Sequence, residues 1–275
     1  MDWSEFEELA RKIHRGEHIP AEPRHAATVV LLRDATDGPE AYLLRRVKGM
    51  AFAGGFHVFP GGSVDPDDED AEIAWSGPSA EQWGSWFGAT PELARALVCA
   101  AVRETFEESG VLLAGESADH LLADVSSDEW EAERVALEAR EQSLSQLLAR
   151  RGLVLRTDLL RPFAHWITPE VEPKRFDTRF FLAEMPSGQT CRDVGGEADS
   201  RVWIRPADAL QQELAMLPPT QNSLQQLADY PTVQAALDAE REVHLVAPKL
   251  VVLADDSVKF VVPGDVDYPA SDPRP

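Results

Sequence analysis

The chain has few cysteines, few cations and no long apolar run, and each shortage excludes a class of protein. Two cysteines in 275 residues, Cys99 and Cys191, are too few for a disulfide framework or a cysteine-based zinc site. The 26 lysines and arginines are outnumbered by 48 acidic residues, so the net charge is −22 and no stretch supplies the basic surface that nucleic-acid binding needs. No apolar run approaches the roughly 20 residues that span a bilayer.

What remains is the composition of an ordinary globular protein, with 44% apolar and 27% charged residues. The amino-terminal residues lack the basic and apolar regions of a signal peptide. We therefore expect a cytoplasmic protein whose partner is neither nucleic acid nor a membrane, and the sequence leaves open whether it forms a homodimer. An anionic ligand would need arginines or bound cations to neutralise it locally in so acidic a protein.

Patterns along the chain predict an α/β protein with a single enlarged domain over residues 1–275. Apolar spacing predicts helices over 1–16, 91–109, 127–151 and most of 206–241, and strands at 26–33, 41–45, 56–59, 176–184 and 201–205. Residues 65–90 are interpreted as an irregular insertion with a short helix near 81–87, and its tryptophans are expected to pack onto the domain. Residues 116–151 form a predicted helical elaboration, and residues 243–262 a carboxyl-terminal hairpin.

The helix predicted over 91–109 contains the acidic residues that are candidates for binding a cation. Thr90 is its expected N-cap, Pro91 its first residue and Gly110 its stop. Projected at about 100° per residue, the helix has an apolar stripe on one side (Val98, Cys99, Val102 and Phe106) and three carboxylates on the other (Glu104, Glu107 and Glu108). Like charges at this spacing repel, and either solvent or a hard divalent cation such as Mg²⁺ can compensate them.

The sequence of this helix resembles a known family motif. Arg103-Glu104-Thr105-Phe106-Glu107-Glu108-Ser109-Gly110-Val111 is similar to the second half of the Nudix box, Arg-Glu-apolar-x-Glu-Glu-x-Gly-apolar, with Thr105 as the one departure. The first half is altered, because the expected Gly-x5-Glu begins at Gly62 but reaches Asp68, with Glu69 beside it. A long insertion then precedes Arg103 and splits the box. The first glutamate of the box is therefore not assigned to one residue.

The split box points to one branch of the family. Together with Phe59-Pro60-Gly61-Gly62 and Arg175-Phe176-Asp177-Thr178-Arg179-Phe180-Phe181, it resembles the mammalian peroxisomal coenzyme A diphosphatase branch of the Nudix hydrolases. The resemblance runs from about residue 26 to the carboxyl-terminal hairpin. It implies a Nudix α/β/α sandwich with a mixed sheet.

The implied reaction is hydrolysis of the diphosphate linkage of a nucleoside diphosphate derivative. By resemblance the substrate is coenzyme A or acyl-coenzyme A, which would give phosphopantetheine and adenosine 3',5'-bisphosphate. ADP-ribose or a dinucleotide is the alternative substrate. A catalytically silent Nudix-fold ligand sensor is the alternative from another class, although such sensors are expected to lose the three glutamates that are present here.

The resemblance also implies roles for particular residues. Glu104, Glu107 and Glu108, joined by the backbone carbonyl of Gly61, are expected to ligate one or more Mg²⁺ or Mn²⁺ ions. Glu107 and Glu108 are expected to be catalytic, and Arg103, four residues before Glu107, to pair with a carboxylate and fix its orientation.

Further candidates lie outside the box. Glu197, six residues before Trp203, fits the position of an additional catalytic carboxylate and equally well that of an ordinary loop residue. Arg45 and Arg46 end a predicted strand that should point toward the site. They are candidates to bind a substrate phosphate, and the alternative is ordinary strand-end charge.

Overall fold

The computed structural model describes residues 3–49, 53–70, 72–195 and 198–269, which form two compact units. The first unit contains residues 3–25, 165–178 and 244–269, and the second contains residues within Ala26–Ala164 and Arg179–Val243. None of the helices in the described ranges combines the length and apolar character needed to cross a membrane.

The described residues form eight α-helices, two short 3-10 helices and fourteen strands. The helices are α1 (Trp3–His14), α2 (Ala80–Phe87), α3 (Pro91–Ser109), α4 (Asp128–Glu138), α5 (Leu144–Arg151), α6 (Pro206–Gln211), α7 (Pro218–Leu227) and α8 (Val233–Asp238), with short 3-10 helices at Pro66–Glu69 and Thr157–Leu159. The strands are β1 (Arg24–Ala35), β2 (Gly38–Arg46), β3 (His57–Val58), β4 (Gly61–Ser63), β5 (Trp75–Ser76), β6 (Ala114–Ser117), β7 (His120–Leu121), β8 (Val154–Arg156), β9 (Leu160–Ile167), β10 (Phe176–Glu184), β11 (Ala198–Ile204), β12 (Leu245–Val246), β13 (Lys249–Val252) and β14 (Val258–Val261).

The first unit contains the amino-terminal helix and the carboxyl-terminal hairpin. Strands β13 and β14 pair antiparallel, which confirms the predicted hairpin, and α1 packs against them. Strand β12 runs parallel to the end of β9, opposite His165 and Trp166. The sheet that contains β9 and β12 is therefore mixed, because its pairs β1–β2, β1–β4 and β2–β11 are antiparallel.

The second unit is built on a sheet with the strand order β11-β2-β1-β10-β9. Strand β2 pairs antiparallel with both β1 and β11, and β4 pairs antiparallel with β1. Helix α3 packs on one face of this sheet, in a core shared with Val29, Leu44 and Phe181. Helix α6 contacts β2. Leu43 of β2 is fully buried but is not part of the core that contains Leu44. The predicted α/β architecture with a mixed sheet is confirmed.

The described residues of the insertion belong to the second unit. They contain a 3-10 helix, β5 and the predicted short helix α2. Trp83 of α2 is fully buried and its ring lies 5.4 Å from that of Phe181, so the insertion contributes to the core as expected. The shorter sheet β5-β8-β6-β7 joins the insertion to the elaboration.

Two segments that were predicted to be helical are confirmed as helical, but each consists of several short helices. The 127–151 segment consists of α4 and α5, separated by a turn in which Arg140 has a φ of 57°. The 206–241 segment contains α6, α7 and α8, and α6 and α7 each begin with a proline. Strand β9 has no counterpart among the predicted strands.

Candidate active site

Helix α3 begins and ends where its sequence predicts. The Thr90 side chain accepts a hydrogen bond from the backbone N–H of Leu93, and Pro91 occupies the first turn. At the other end Gly110 has a φ of 74° and donates its N–H to the carbonyl of Phe106. The Gly110 cap therefore ends the helix directly after the two turns that contain the three glutamates of the box. The predicted apolar stripe is buried, but burial extends around most of the helix because α2, α4 and β4 also pack against it.

The two glycines of β4 lie directly against the acidic turns. The backbone N–H of Gly61 donates to Glu108 Oε2 at 2.9 Å. A Cβ on Gly62 would lie 2.3 Å from Glu104 Oε1, so any other residue there would require the Glu104 carboxylate to move. Strand pairing fixes this approach, since Gly62 is opposite Ala27 on β1. Gly61 and Gly62, which follow the strand predicted at 56–59, thus belong to a further strand that contacts the site.

Because of this close approach, we expect Gly62→Ala to displace Glu104. The added methyl group should destabilise the fold by about 1–3 kcal/mol, as overpacking does, and lower kcat/KM at least ~10-fold. Thermal unfolding and hydrolysis assays would measure both effects. Gly49→Ala is the matched control, since a Cβ there meets nothing within 4 Å. Equal behaviour of the two variants would contradict the close packing described here.

Arg103 connects the parts of the site. Its side chain is 8% exposed and donates from Nε and Nη2 to the carboxylate of Asp68 at 3.0 and 2.9 Å. The same guanidinium donates to the carbonyl of Ser63 at 2.9 Å, to Glu104 Oε1 at 2.8 Å and to Glu107 Oε1 at 3.3 Å. The predicted pairing of Arg103 with a carboxylate of the helix is therefore present, and it extends to a second carboxylate.

Asp68 occupies the place that the sequence left unassigned. It is the sixth residue after Gly62, and its side chain is 1% exposed beneath Arg103. Glu69, the other candidate, is exposed. Asp68 also accepts a hydrogen bond from the backbone N–H of Asp65 at 2.8 Å, which holds the 3-10 helix in place. The insertion therefore separates the halves of the box in sequence but not in space.

The electrostatics of the site reflect buried negative charge. Burial and the neighbouring charge of Glu104 raise the pKa of Glu107 to about 7, against the opposing effect of Arg103. Burial likewise raises the pKa of Glu104 and of Asp68. Burial alone would lower the pKa of Arg103, but its hydrogen bonds with Asp68 and the surrounding carboxylates raise it above its ordinary value. One arginine thus does not fully compensate the carboxylates around it.

This imbalance predicts a pH-dependent stability in the metal-free protein. A carboxyl group with a raised pKa holds its proton longer in the folded than in the unfolded state, so the free energy of unfolding should fall as pH rises from the ordinary 4.5 of glutamate through about 7. Glu107 alone would contribute about 3 kcal/mol to this loss. Urea unfolding in EDTA at pH 5 and pH 8 would measure it, and Mg²⁺ should restore stability mainly at pH 8. Equal stability at both pH values would contradict the raised pKa.

The donor set suits a hard divalent cation. Three glutamates supply carboxylate oxygens at one end of α3, and burial of negative charge raises the pKa of two of them, Glu104 and Glu107, so a cation there would be neutralising. Within the described ranges, however, no three acidic, histidine or cysteine side chains are grouped as a ready ion site. Glu104 and Glu107 are bonded to Arg103, and Glu108 is bonded to Gly61. The side chains would have to turn toward an ion that they bind together.

The remaining candidates are placed as follows. Arg45 lies at the end of β2 and forms an ion pair with Asp199 at 2.6 Å, with 41% of its side chain exposed. Arg46 is the last residue of β2 and is partly exposed. Glu197 lies outside the described residues. Sequence reasoning missed Asp65 and the carbonyl of Ser63, because a backbone acceptor and a loop aspartate carry no motif of their own.

Known Nudix proteins are similar to the chain over most of its length. A family model described as the NUDT19 Nudix domain matches residues 81–227. Two relatives named acyl-coenzyme A diphosphatase NUDT19 are 24% identical in Xenopus laevis, over 85% of this chain and 72% of the relative, and 28% identical in Gallus gallus, over 90% and 80%. The crystal structure of a Nudix hydrolase from Alicyclobacillus acidocaldarius is 30% identical with a TM-score of 0.66, covering 81% of this chain and 98% of that one.

The fold, and the two halves of the Nudix box that the Asp68–Arg103 ion pair holds together, are those of a Nudix hydrolase. The chain belongs to the Nudix hydrolase family. Within the family it is a member of the NUDT19 branch, whose domain model matches more than half of its residues. The family and the branch that the sequence resembles are both confirmed, and the protein is an enzyme.

Proposed function

We propose that the enzyme hydrolyses the diphosphate linkage of coenzyme A or acyl-coenzyme A with Mg²⁺ or Mn²⁺ as its cofactor. The observation that carries this proposal is the end of α3, where Glu104 and Glu107 are bonded to the buried Arg103 and Glu108 is bonded to Gly61 of β4. The choice of substrate is supported by the two relatives, each named an acyl-coenzyme A diphosphatase.

The chemistry follows from the donor set. Glu104, Glu107 and Glu108, with the backbone carbonyl of Gly61, would hold the cation. When bound, the cation would neutralise the oxygens of the diphosphate and lower the pKa of an attacking water. Water itself would be the nucleophile, because phosphoryl transfer does not require a covalent one. Glu107 or Glu108 would accept the proton of that water. Arg103 would keep the carboxylates oriented while the cation binds.

Further residues complete the proposal. Glu197 would supply an additional carboxylate to the cation or to the water. Arg45 or Arg46 would bind a substrate phosphate. Because Arg45 is paired with Asp199, phosphate binding there would exchange one anionic partner for another.

A substrate panel tests the proposal directly. The purified full chain is incubated with Mg²⁺ and coenzyme A, an acyl-coenzyme A, ADP-ribose or a dinucleoside polyphosphate, and the products are identified by mass spectrometry. We expect coenzyme A and its acyl derivative to give adenosine 3',5'-bisphosphate, and EDTA to abolish the reaction. Disappearance of ADP-ribose while coenzyme A stays uncleaved would overturn the substrate assignment, and full activity in EDTA would overturn the metal dependence.

A further inference from the structure

Two donors from outside the Nudix box bond to carbonyls at the carboxyl end of α3, one from a side chain and one from the backbone. The last four carbonyls of a helix have no partner within the helix and must find donors elsewhere. The carbonyl of Phe106 accepts from the N–H of Gly110. The carbonyl of Glu107 accepts from Nη1 of Arg134 at 2.9 Å, and the carbonyl of Ser109 accepts from the backbone N–H of Arg192 at 2.9 Å.

Arg134 is itself held rigidly. It projects from α4, in the predicted helical elaboration, and its side chain is only 3% exposed. Its guanidinium pairs with Glu131 at 2.7 Å and with Glu138 at 2.8 Å. Glu131 also pairs with Nη1 of Arg192 at 2.9 Å, so one carboxylate joins the two arginines. We call Arg134, Glu131 and Arg192 the α4 clamp.

The α4 clamp contacts the backbone of Glu107, a proposed metal ligand. Its bond from Arg134 ends on the backbone of Glu107, whose carboxylate is a proposed metal ligand and is bonded on its other side to Arg103. Fixing the carbonyl fixes the Cα of Glu107 and the direction in which its side chain leaves the helix. Groups that orient a ligand in this way contribute strongly to metal affinity.

We propose that Arg134 is a positioning residue for metal binding, acting through the backbone of Glu107, and that the helical elaboration serves the active site in this way. The inference rests on the proposed metal-dependent hydrolysis. It assigns Arg134 no contact with substrate or cation. A purely structural arginine would stabilise α4 without affecting the affinity of the protein for a divalent ion, and this difference can be measured.

The test is calorimetric titration of the full chain with Mn²⁺ alone, without substrate. Arg134→Met removes the donor to Glu107 and is expected to weaken Mn²⁺ binding ~10-fold or more, as loss of an orienting group typically does. Arg156→Met is the matched control, because Arg156 is also buried in the second unit and paired with a carboxylate, that of Asp158 at 2.7 Å. Both variants should lose thermal stability, but the control should keep the affinity of the wild type.

A second variant keeps the test decisive if Arg134→Met does not fold. Arg134→Lys retains the charge but not the forked geometry that reaches Glu131, Glu138 and the carbonyl of Glu107 together, and a smaller loss of affinity of ~3-fold is expected. Unchanged Mn²⁺ affinity in a folded methionine variant, or in the lysine variant if only that one folds, would overturn the proposal. Failure of the wild type to bind Mn²⁺ would instead overturn the proposed function, and this inference with it.

Discussion

Glu107→Gln is expected to lower kcat about 10³-fold, because losing a charged ligand costs several kcal/mol of transition-state stabilisation. The same variant should be more stable than the wild type at pH 8 in EDTA, since a carboxylate whose pKa is raised to about 7 is a buried charge under those conditions. A loss of activity with a gain of stability is expected where an active site holds a buried charge at a cost to the fold. Steady-state hydrolysis and urea unfolding of the same preparation would measure both.

The control for this variant lies on the same helix. Glu92 is in the first turn of α3 and is exposed, so Glu92→Gln removes one charge at the far end of the helix from the three glutamates. It should change neither kcat nor the pH dependence of stability appreciably. Unchanged turnover in Glu107→Gln would contradict the catalytic role proposed for the carboxyl end of α3.

Asp68→Ala is expected to destabilise the fold by about 3–5 kcal/mol, because two donors of a buried guanidinium lose their charged acceptor, at about 1.5–3 kcal/mol for each bond. The loss arises because Arg103 stays buried without the carboxylate that receives two of its hydrogen bonds. Activity should fall as well, since Arg103 also holds Glu104 and Glu107. Chemical denaturation with a hydrolysis assay would measure both losses.

A double-mutant cycle separates this pair from general packing. In an Arg103→Met background the donors that bond to Asp68 are absent, so Asp68→Ala should cost much less than in the wild type. Glu69→Gln, one residue away and exposed, should be nearly neutral. Additive losses in the cycle would show that Asp68 does not act through Arg103.

The sequence predicts best what is encoded locally. Helix α3 is recognisable because its caps, Thr90 with Pro91 and Gly110, lie within a few residues of the ends that they define. The hairpin of β13 and β14 is likewise a local structure. The orientation of Glu107 toward Arg103 follows from the four-residue spacing on a helix.

What the sequence could not predict depends on contacts between distant residues. Asp68 and Arg103 are 35 residues apart, and the spacing from Gly62 leaves both Asp68 and Glu69 as candidates without showing which of them contacts Arg103. Strand β4 could not be predicted from sequence, because Gly61 and Gly62 have no side chains to form an alternating pattern, although their backbones pair with β1. The bond from Arg134 to the carbonyl of Glu107 involves a backbone acceptor that every residue possesses.

The structure also explains how a split box can function. The insertion adds α2, whose Trp83 is buried against Phe181, so the added segment is anchored to the sheet instead of pushing the halves of the box apart. Asp68 lies before α2 in the chain and is bonded to Arg103 after it. The core contacts of the insertion and this buried ion pair therefore support the same arrangement.

The most direct test of the central claim is Mn²⁺ binding to a variant in which Glu104, Glu107 and Glu108 are all replaced by glutamine, measured by electron paramagnetic resonance beside the wild type. We predict that the wild type binds Mn²⁺ in the absence of substrate. The triple variant, folded by circular dichroism, should leave the signal of the free ion unchanged. Equal binding by both proteins would contradict the claim that the end of α3 holds the metal.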